Sequence, residues 1–143
     1  METRLTEAET SRFVQAGQIR VHYNEAGSGP VVLFCEGQGP GTSAWVVYHR
    51  VIDELSKHFR CLLVDQPGYG KSDAFAVKGE SRSTMYARTL RDIMDALEID
   101  RASIVDMSFG AQTGQVFAVD YAQRIEKLSS DLQKPPPRDD FPI

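Results

Sequence analysis

Hydrophobic and polar positions change their period several times along the 143-residue chain, and each change marks an element. From Phe13 to Glu25 the pattern alternates. Ile19, Val21 and Tyr23 fall on one side, Arg20, His22 and Asn24 on the other, and Ala16-Gly17-Gln18 makes a turn. This predicts a β-hairpin with one wet face. After Gly27-Ser28-Gly29-Pro30 the run Val31 to Cys35 is continuously apolar, as in a parallel strand buried on both faces. Glu36-Gly37-Gln38-Gly39-Pro40-Gly41 leads to Thr42 and Ser43, either able to cap a helix with Trp45, Tyr48, Ile52 and Leu55 on one stripe. A second buried strand spans Cys61 to Val64, and turn residues from Asp65 to Asp73 begin a looser connection to Ser83. Leu90, Ile93, Met94 and Leu97 recur at helical spacing in a helix ending near Asp100, followed by a strand from Ala102 to Met107. The last helix, Phe109 to about Tyr121, turns Thr113, Val116 and Phe117 inward, with Gly110 and Gly114 allowing close approach to the sheet. Alternating strands and helices predict a right-handed α/β architecture.

The ends differ from this middle. Ser129 to Lys134 leads into Pro135-Pro136-Pro137-Arg138, which is too polar and proline-rich to offset the entropy of ordering. Residues 129–143 are therefore expected to form a disordered tail and residues 1–12 a flexible start, leaving 13–128 as a single domain. Net charge is -4 without a basic cluster, which disfavours nucleic acid and anionic membranes as partners. No apolar stretch reaches the length of a membrane span, and Met1 to Arg12 lacks the apolar segment of a signal peptide, so a cytoplasmic location is expected. Cys35 and Cys61 are expected at opposite edges of a sheet as two buried thiols without a disulfide. No Cys, His and carboxylate spacing supports a metal site, and the glycine loop lacks the P-loop lysine and the dinucleotide spacing, so no cofactor is expected.

The chemistry-bearing candidate is Ser108. It sits between the apolar run Ile104-Val105-Asp106-Met107 and Phe109-Gly110-Ala111, where strand gives way to helix. In a G-x-S-x-G nucleophile elbow, a serine is held on that sharp turn with its oxygen exposed above a parallel sheet. Here the motif reads Asp106-Met107-Ser108-Phe109-Gly110, with the trailing glycine kept and the leading one replaced by aspartate. Asp65 reads as a turn-stabilising carboxylate. His22, His49 and His58 read as surface or packing residues, and Trp45 and Tyr48 as helix-packing residues.

Three segments extend the motif: Val21-His22-Tyr23-Asn24-Glu25-Ala26-Gly27, Gly39-Pro40-Gly41 followed by Trp45, and Leu63-Val64-Asp65-Gln66-Pro67-Gly68-Tyr69-Gly70. With the elbow, in this order over about residues 13 to 128, the chain resembles the N-terminal half of the α/β-hydrolase superfamily. Within it, the resemblance is to the meta-cleavage product hydrolases. These are serine hydrolases that cut a carbon–carbon bond in the ring-opened dienoates of aromatic and steroid-ring degradation. The resemblance implies a truncated α/β-hydrolase fold: an N-terminal hairpin plus a mostly parallel sheet flanked by helices. It makes Ser108 the nucleophile and the backbone N–H groups of Gln38 and Phe109 the oxyanion donors, each worth about 3 kcal/mol of transition-state stabilisation.

Departures from the family pattern fall near the chemistry. Glu36 stands in place of histidine, Gln38 and Asp106 in place of glycine, and Met107 in place of asparagine. A Glu36 or Asp106 carboxylate about 5 Å from a developing oxyanion would cost roughly 3 kcal/mol at an effective dielectric near 20, about a hundredfold in rate. In the family the acid and histidine of the triad follow the serine. After Ser108 this sequence has no histidine, and its aspartates are Asp120, Asp131, Asp139 and Asp140. A serine without a base is a poor nucleophile, so the isolated chain is expected to be inactive, with a small-molecule substrate if it is active. The alternative is a truncated remnant or interaction module that self-associates through an uncovered apolar sheet edge. Dehalogenases and epoxide hydrolases share the fold but place aspartate at the nucleophile position, which here is serine.

Overall fold

The computed structural model describes residues 4–36, 41–107 and 110–131. Six strands form one sheet in the order β1-β2-β4-β3-β5-β6. The hairpin β1 (Ser11–Ala16) and β2 (Ile19–Ala26) is antiparallel, and β2 also runs antiparallel to β4 (Arg60–Val64). From there β4, β3 (Val31–Cys35), β5 (Ala102–Met107) and β6 (Ile125–Asp131) are parallel. Helix α2 (Ala44–Leu55) connects β3 to β4, α3 (Arg82–Ala96) connects β4 to β5, and α4 (Gly110–Asp120) connects β5 to β6. The expected mostly parallel α/β sheet is therefore present.

The alternation of buried side chains along the central strands divides the core into two layers. Leu33, Cys35, Leu62, Val64 and Ile104 face α3 and α4, where Leu90, Ile93, Met94 and Phe117 are fully buried. Val32, Phe34, Cys61 and Leu63 face α2, against Ala44, Tyr48 and Ile52. Ser43 caps α2 through the Val46 N–H, and Ser81 caps α3 through the Thr84 N–H. Either cap removes one of the orphan donors of a helix start.

Several sequence expectations need correction. The hairpin's second face is not wet: His22 and Asn24 are buried. A four-residue helix, α1 (Glu7–Thr10), closed by a Thr6–Glu9 capping box, lies over them, and Asn24 donates to the Thr10 hydroxyl and the Glu7 carbonyl. Residues 7–12, expected to be flexible, thus belong to the fold. At the other end the sheet continues past Leu128, since β6 extends to Asp131 and residues 129–131 pair with Val105, Asp106 and Met107. Residues 132–143 of the expected tail lie outside the described residues.

β6 also covers the edge that strand 102–107 was expected to leave open, and presents Glu126 and Lys127, charged residues that blunt edge pairing. Cys35 and Cys61 are free, buried and on adjacent central strands rather than at opposite sheet edges. They face different layers, which rules out a bridge between them. Helix α3 stops at Ala96, short of the expected Asp100, because Leu97 leaves helical geometry and Glu98 takes a positive φ of 57°.

Candidate functional site at the carboxyl ends of the parallel strands

The order β4-β3-β5 places the site. From β3 the chain crosses to β4 on the α2 face, and from β4 it crosses to β5 on the opposite face, so the direction of sheet growth reverses at β3. In open α/β sheets, ligands bind beyond the carboxyl ends of the strands at this reversal. Glu36 follows β3, Asp65 and Gln66 follow β4, and Asp106 and Met107 end β5, immediately before Ser108 in the sequence. Parallel register sets Cys35 level with Asp106 and Cys35 level with Val64. Ser108, Gln38 and Phe109, assigned by resemblance as nucleophile and oxyanion donors, lie outside the described residues.

The polar groups at this rim are buried. Glu36, Asp65, Gln66 and Asp106 are each no more than 3% exposed. Burial pushes the Glu36 carboxyl up to about 8, with the neighbouring Asp65 charge adding to the shift. Burial likewise raises Asp106 to about 6, partly offset by the Ser130 hydroxyl and Gly114 N–H beside it. Among the described residues no group meets full hydrogen-bond geometry with either carboxyl or with the Gln66 side-chain amide, although the Gln66 backbone N–H lies close enough to Glu36 to lower its pKa slightly. A carboxyl titrating near 8 is mostly neutral at pH 7. The repulsion of an oxyanion expected from Glu36 therefore largely vanishes, and its O–H becomes a donor.

Asp106 is accommodated by a glycine. A Cβ built on Gly114 of α4 would lie 1.8 Å from Asp106 Oδ2 and 2.8 Å from Leu128 Cδ1. The expected close approach of α4 to the sheet is therefore present, and it houses the aspartate that replaces the first elbow glycine. Thr113 and Phe117 point inward as expected, with Val116 packed at the rim of the same cluster.

Asp65 is a turn-stabilising carboxylate, as expected, and more. It accepts from the Ala44 N–H at 2.9 Å and the Lys71 N–H at 3.2 Å, and its Oδ2 lies 2.7 Å from His22 Nδ1. His22 is thus a packing residue with a specific partner. The sequence reading missed that pairing because only the adjacency of β2 and β4 brings the two together. Tyr48 is a helix-packing residue whose hydroxyl donates to the Cys35 carbonyl, and Trp45 is partly buried against the same layer.

An apolar cavity lies elsewhere. A groove of about 760 Å³ runs along the α2 face of β3, β5 and β6 toward their amino ends, lined by Val32, Phe34, Leu55, Phe59 and Val105 among others. It is an apolar sheet face beside α2, not the polar strand-end rim.

A family model described as the alpha/beta hydrolase fold matches residues 30–141. Over 129 residues the chain is 41% identical to a 2-hydroxy-6-oxononadienedioate/2-hydroxy-6-oxononatrienedioate hydrolase of Paraburkholderia phymatum, covering 86% of this chain and 44% of that protein. It is 39% identical over 132 residues to a 2-hydroxy-6-oxo-6-phenylhexa-2,4-dienoate hydrolase of Comamonas testosteroni, covering 88% of this chain and 46% of that one. Among solved structures, a mutant of the meta-cleavage product hydrolase CumD from Pseudomonas fluorescens IP01 superposes with a TM-score of 0.76 at 30% identity, covering 85% of this chain and 44% of that chain. The chain thus spans less than half the length of the relatives it matches. A sheet whose order reverses at β3, helices on both faces and a matching family model over most of the sequence lead to one assignment: this chain belongs to the alpha/beta hydrolase fold family.

Proposed function

We propose that these residues form the N-terminal half of a serine hydrolase that cleaves the carbon–carbon bond of ring-opened dienoates, with Ser108 as nucleophile and the Gln38 and Phe109 N–H groups as oxyanion donors. What supports this reading is a sequence 39–41% identical to dienoate hydrolases over 129–132 residues, in which Ser108 follows Met107, the last residue of β5, along the chain. In this role Ser108 attacks the carbonyl carbon and the two N–H groups receive the developing oxyanion. Backbone donors serve whatever side chain they carry, so the change to Gln38 leaves the chemistry available.

The serine needs a base. No histidine follows Ser108 in the 143 residues, so we expect the isolated chain to be inactive toward dienoates, with the acid and histidine supplied by the half these residues do not span. The intact mass of the native protein carrying Ser108 tests this. A mass well above 15.9 kDa supports a continuing hydrolase, and 15.9 kDa favours the second reading.

That second reading is a non-catalytic interaction module. The open apolar groove over β3, β5 and β6 favours it, because parallel strands are normally covered on both faces. Self-association through this face would appear as a concentration-dependent mass in sedimentation, and a monomer at all concentrations would argue against it.

A further inference from the structure

A Ser–His–Asp constellation lies at the hairpin edge of the sheet. Ser11 Oγ on β1 is 2.7 Å from His22 Nε2, and His22 Nδ1 is 2.7 Å from Asp65 Oδ2. A carboxylate only accepts, so Nδ1 carries a proton toward Asp65, and in the neutral imidazole Nε2 then presents its lone pair to the Ser11 hydroxyl. The backbone fixes this geometry. Asp65 N–H donates to the His22 carbonyl at 3.1 Å, His22 N–H to Ser72 Oγ at 2.8 Å, and the Ser72 hydroxyl to the Asp65 carbonyl at 2.7 Å. The Lys71 and Ala44 N–H groups orient the carboxylate further. Gly70 lets the loop close over it, since a Cβ there would lie 2.1 Å from Asp65 Oδ2. His22 and Asp65 are 1% exposed, whereas Ser11 is only half-buried. The base is buried, and the serine that it touches sits where the buried layer meets the surface.

Such triads are recognised by geometry and roles, independent of sequence order or fold. A serine hydrogen-bonded to a base that a third group orients is an activated nucleophile. We propose that Ser11, His22 and Asp65 form a second nucleophilic centre, independent of Ser108, that accepts acyl groups from small activated carboxylic esters. Ser11 Oγ attacks the carbonyl carbon while its proton passes to His22 Nε2. The bond from that carbon to the leaving alkoxide or phenoxide then breaks, and the leaving oxygen takes the proton. Water next attacks the acyl-serine, giving a proton to His22, which returns it to Ser11 Oγ as the carboxylic acid departs.

A purely structural role, pinning β1 to β2 and β4, would leave Ser11 no more reactive than any other serine. The test uses the 143-residue chain carrying Ser108→Ala, exposed to p-nitrophenyl acetate and to a fluorophosphonate probe, digested with trypsin and read by mass spectrometry. Ser11 falls in the peptide of residues 5–12, clear of position 108. The exposed Ser28 serves as an internal standard that requires no further variant. The expected result is labelling of Ser11 at least tenfold faster than Ser28, lost in Ser11→Ala. Asp65→Asn should slow it at least tenfold, because an amide donor facing Nδ1 reverses the imidazole tautomer. Ser11 labelled no faster than Ser28 in the folded protein overturns the proposal, as does unchanged labelling in an Asp65→Asn variant that still melts cooperatively.

Discussion

Replacing Glu36 by glutamine keeps the shape of the side chain and removes its titrating proton. Below pH 4.5 the carboxyl is neutral in both the folded and the unfolded chain. As pH rises above 4.5 the unfolded chain ionises first, while burial keeps the folded group protonated up to about 8. A raised folded pKa means that the stability present at low pH is lost on the way to pH 8, at up to about 1.4 kcal/mol per pH unit. The unscreened loss over the whole window would be about 5 kcal/mol, and water entering the crevice around the ionised group brings it nearer 2–3 kcal/mol. With a urea m-value of about 1–2 kcal/mol/M for a chain of this size, the unfolding midpoint falls by about 1–3 M between pH 5 and pH 8.5. Glu36→Gln removes that slope above pH 6 and leaves only the lower window, between about 4 and 6, in which Asp106 loses its own stabilising protonation. Urea melts of both proteins at pH 5, 6, 7, 8 and 8.5 measure this. Parallel midpoints across the series would refute the claim that Glu36 is a buried neutral acid at pH 7.

Three further outcomes follow from the packing. Gly114→Ala drives a methyl group into Asp106 and Leu128 and should destabilise the fold by about 1–3 kcal/mol in urea melts; a double variant with Asp106→Gly should recover part of that loss, because the nearer clash is with the aspartate. Phe117→Ala, at a fully buried position between α4 and the sheet, should cost about 3–5 kcal/mol by the same assay. Tyr48→Phe removes the hydroxyl that donates to the Cys35 carbonyl at the end of β3, with an expected loss of about 1 kcal/mol; no change in the midpoint would show that water replaces the phenol there.

The elements that were legible in the sequence are those whose hydrophobic pattern is local and strong. Val31–Cys35 was read at its observed bounds and Cys61–Val64 to within one residue, because strands buried on both faces are continuously apolar; Ala102–Met107, interrupted by Ser103 and Asp106, was read at its observed bounds from its place between two helical patterns. β6 was missed because an edge strand has one partner and one open face, so Leu128-Ser129-Ser130 carries little apolar signal. The buried second face of the hairpin was missed for a related reason. His22 and Asn24 are polar, and what covers them is a single helical turn whose one sequence mark is the Thr6–Glu9 capping box.

Ser108, Gln38 and Phe109 were assigned by motif and resemblance and lie outside the described residues. The charge state of Glu36 was not legible, because it depends on burial created by three neighbouring strand ends. The Ser11–His22–Asp65 arrangement was half legible. The hairpin turn at Gly17-Gln18 places Ser11 and His22 on one face, diagonal across the ladder, but Asp65 joins them only through the pairing of β2 with β4.

The central claim, that Ser108 is a hydrolase nucleophile whose histidine lies outside these 143 residues, is tested most directly by turnover of a 2-hydroxy-6-oxo-6-phenylhexa-2,4-dienoate substrate. The assay compares the chain alone with the chain co-expressed with the C-terminal half of a dienoate hydrolase, each with and without Ser108→Ala. The account predicts no turnover by the chain alone, and turnover by the combined halves that Ser108→Ala abolishes. Turnover that survives Ser108→Ala, or Ser108-dependent turnover by the chain alone, would contradict it.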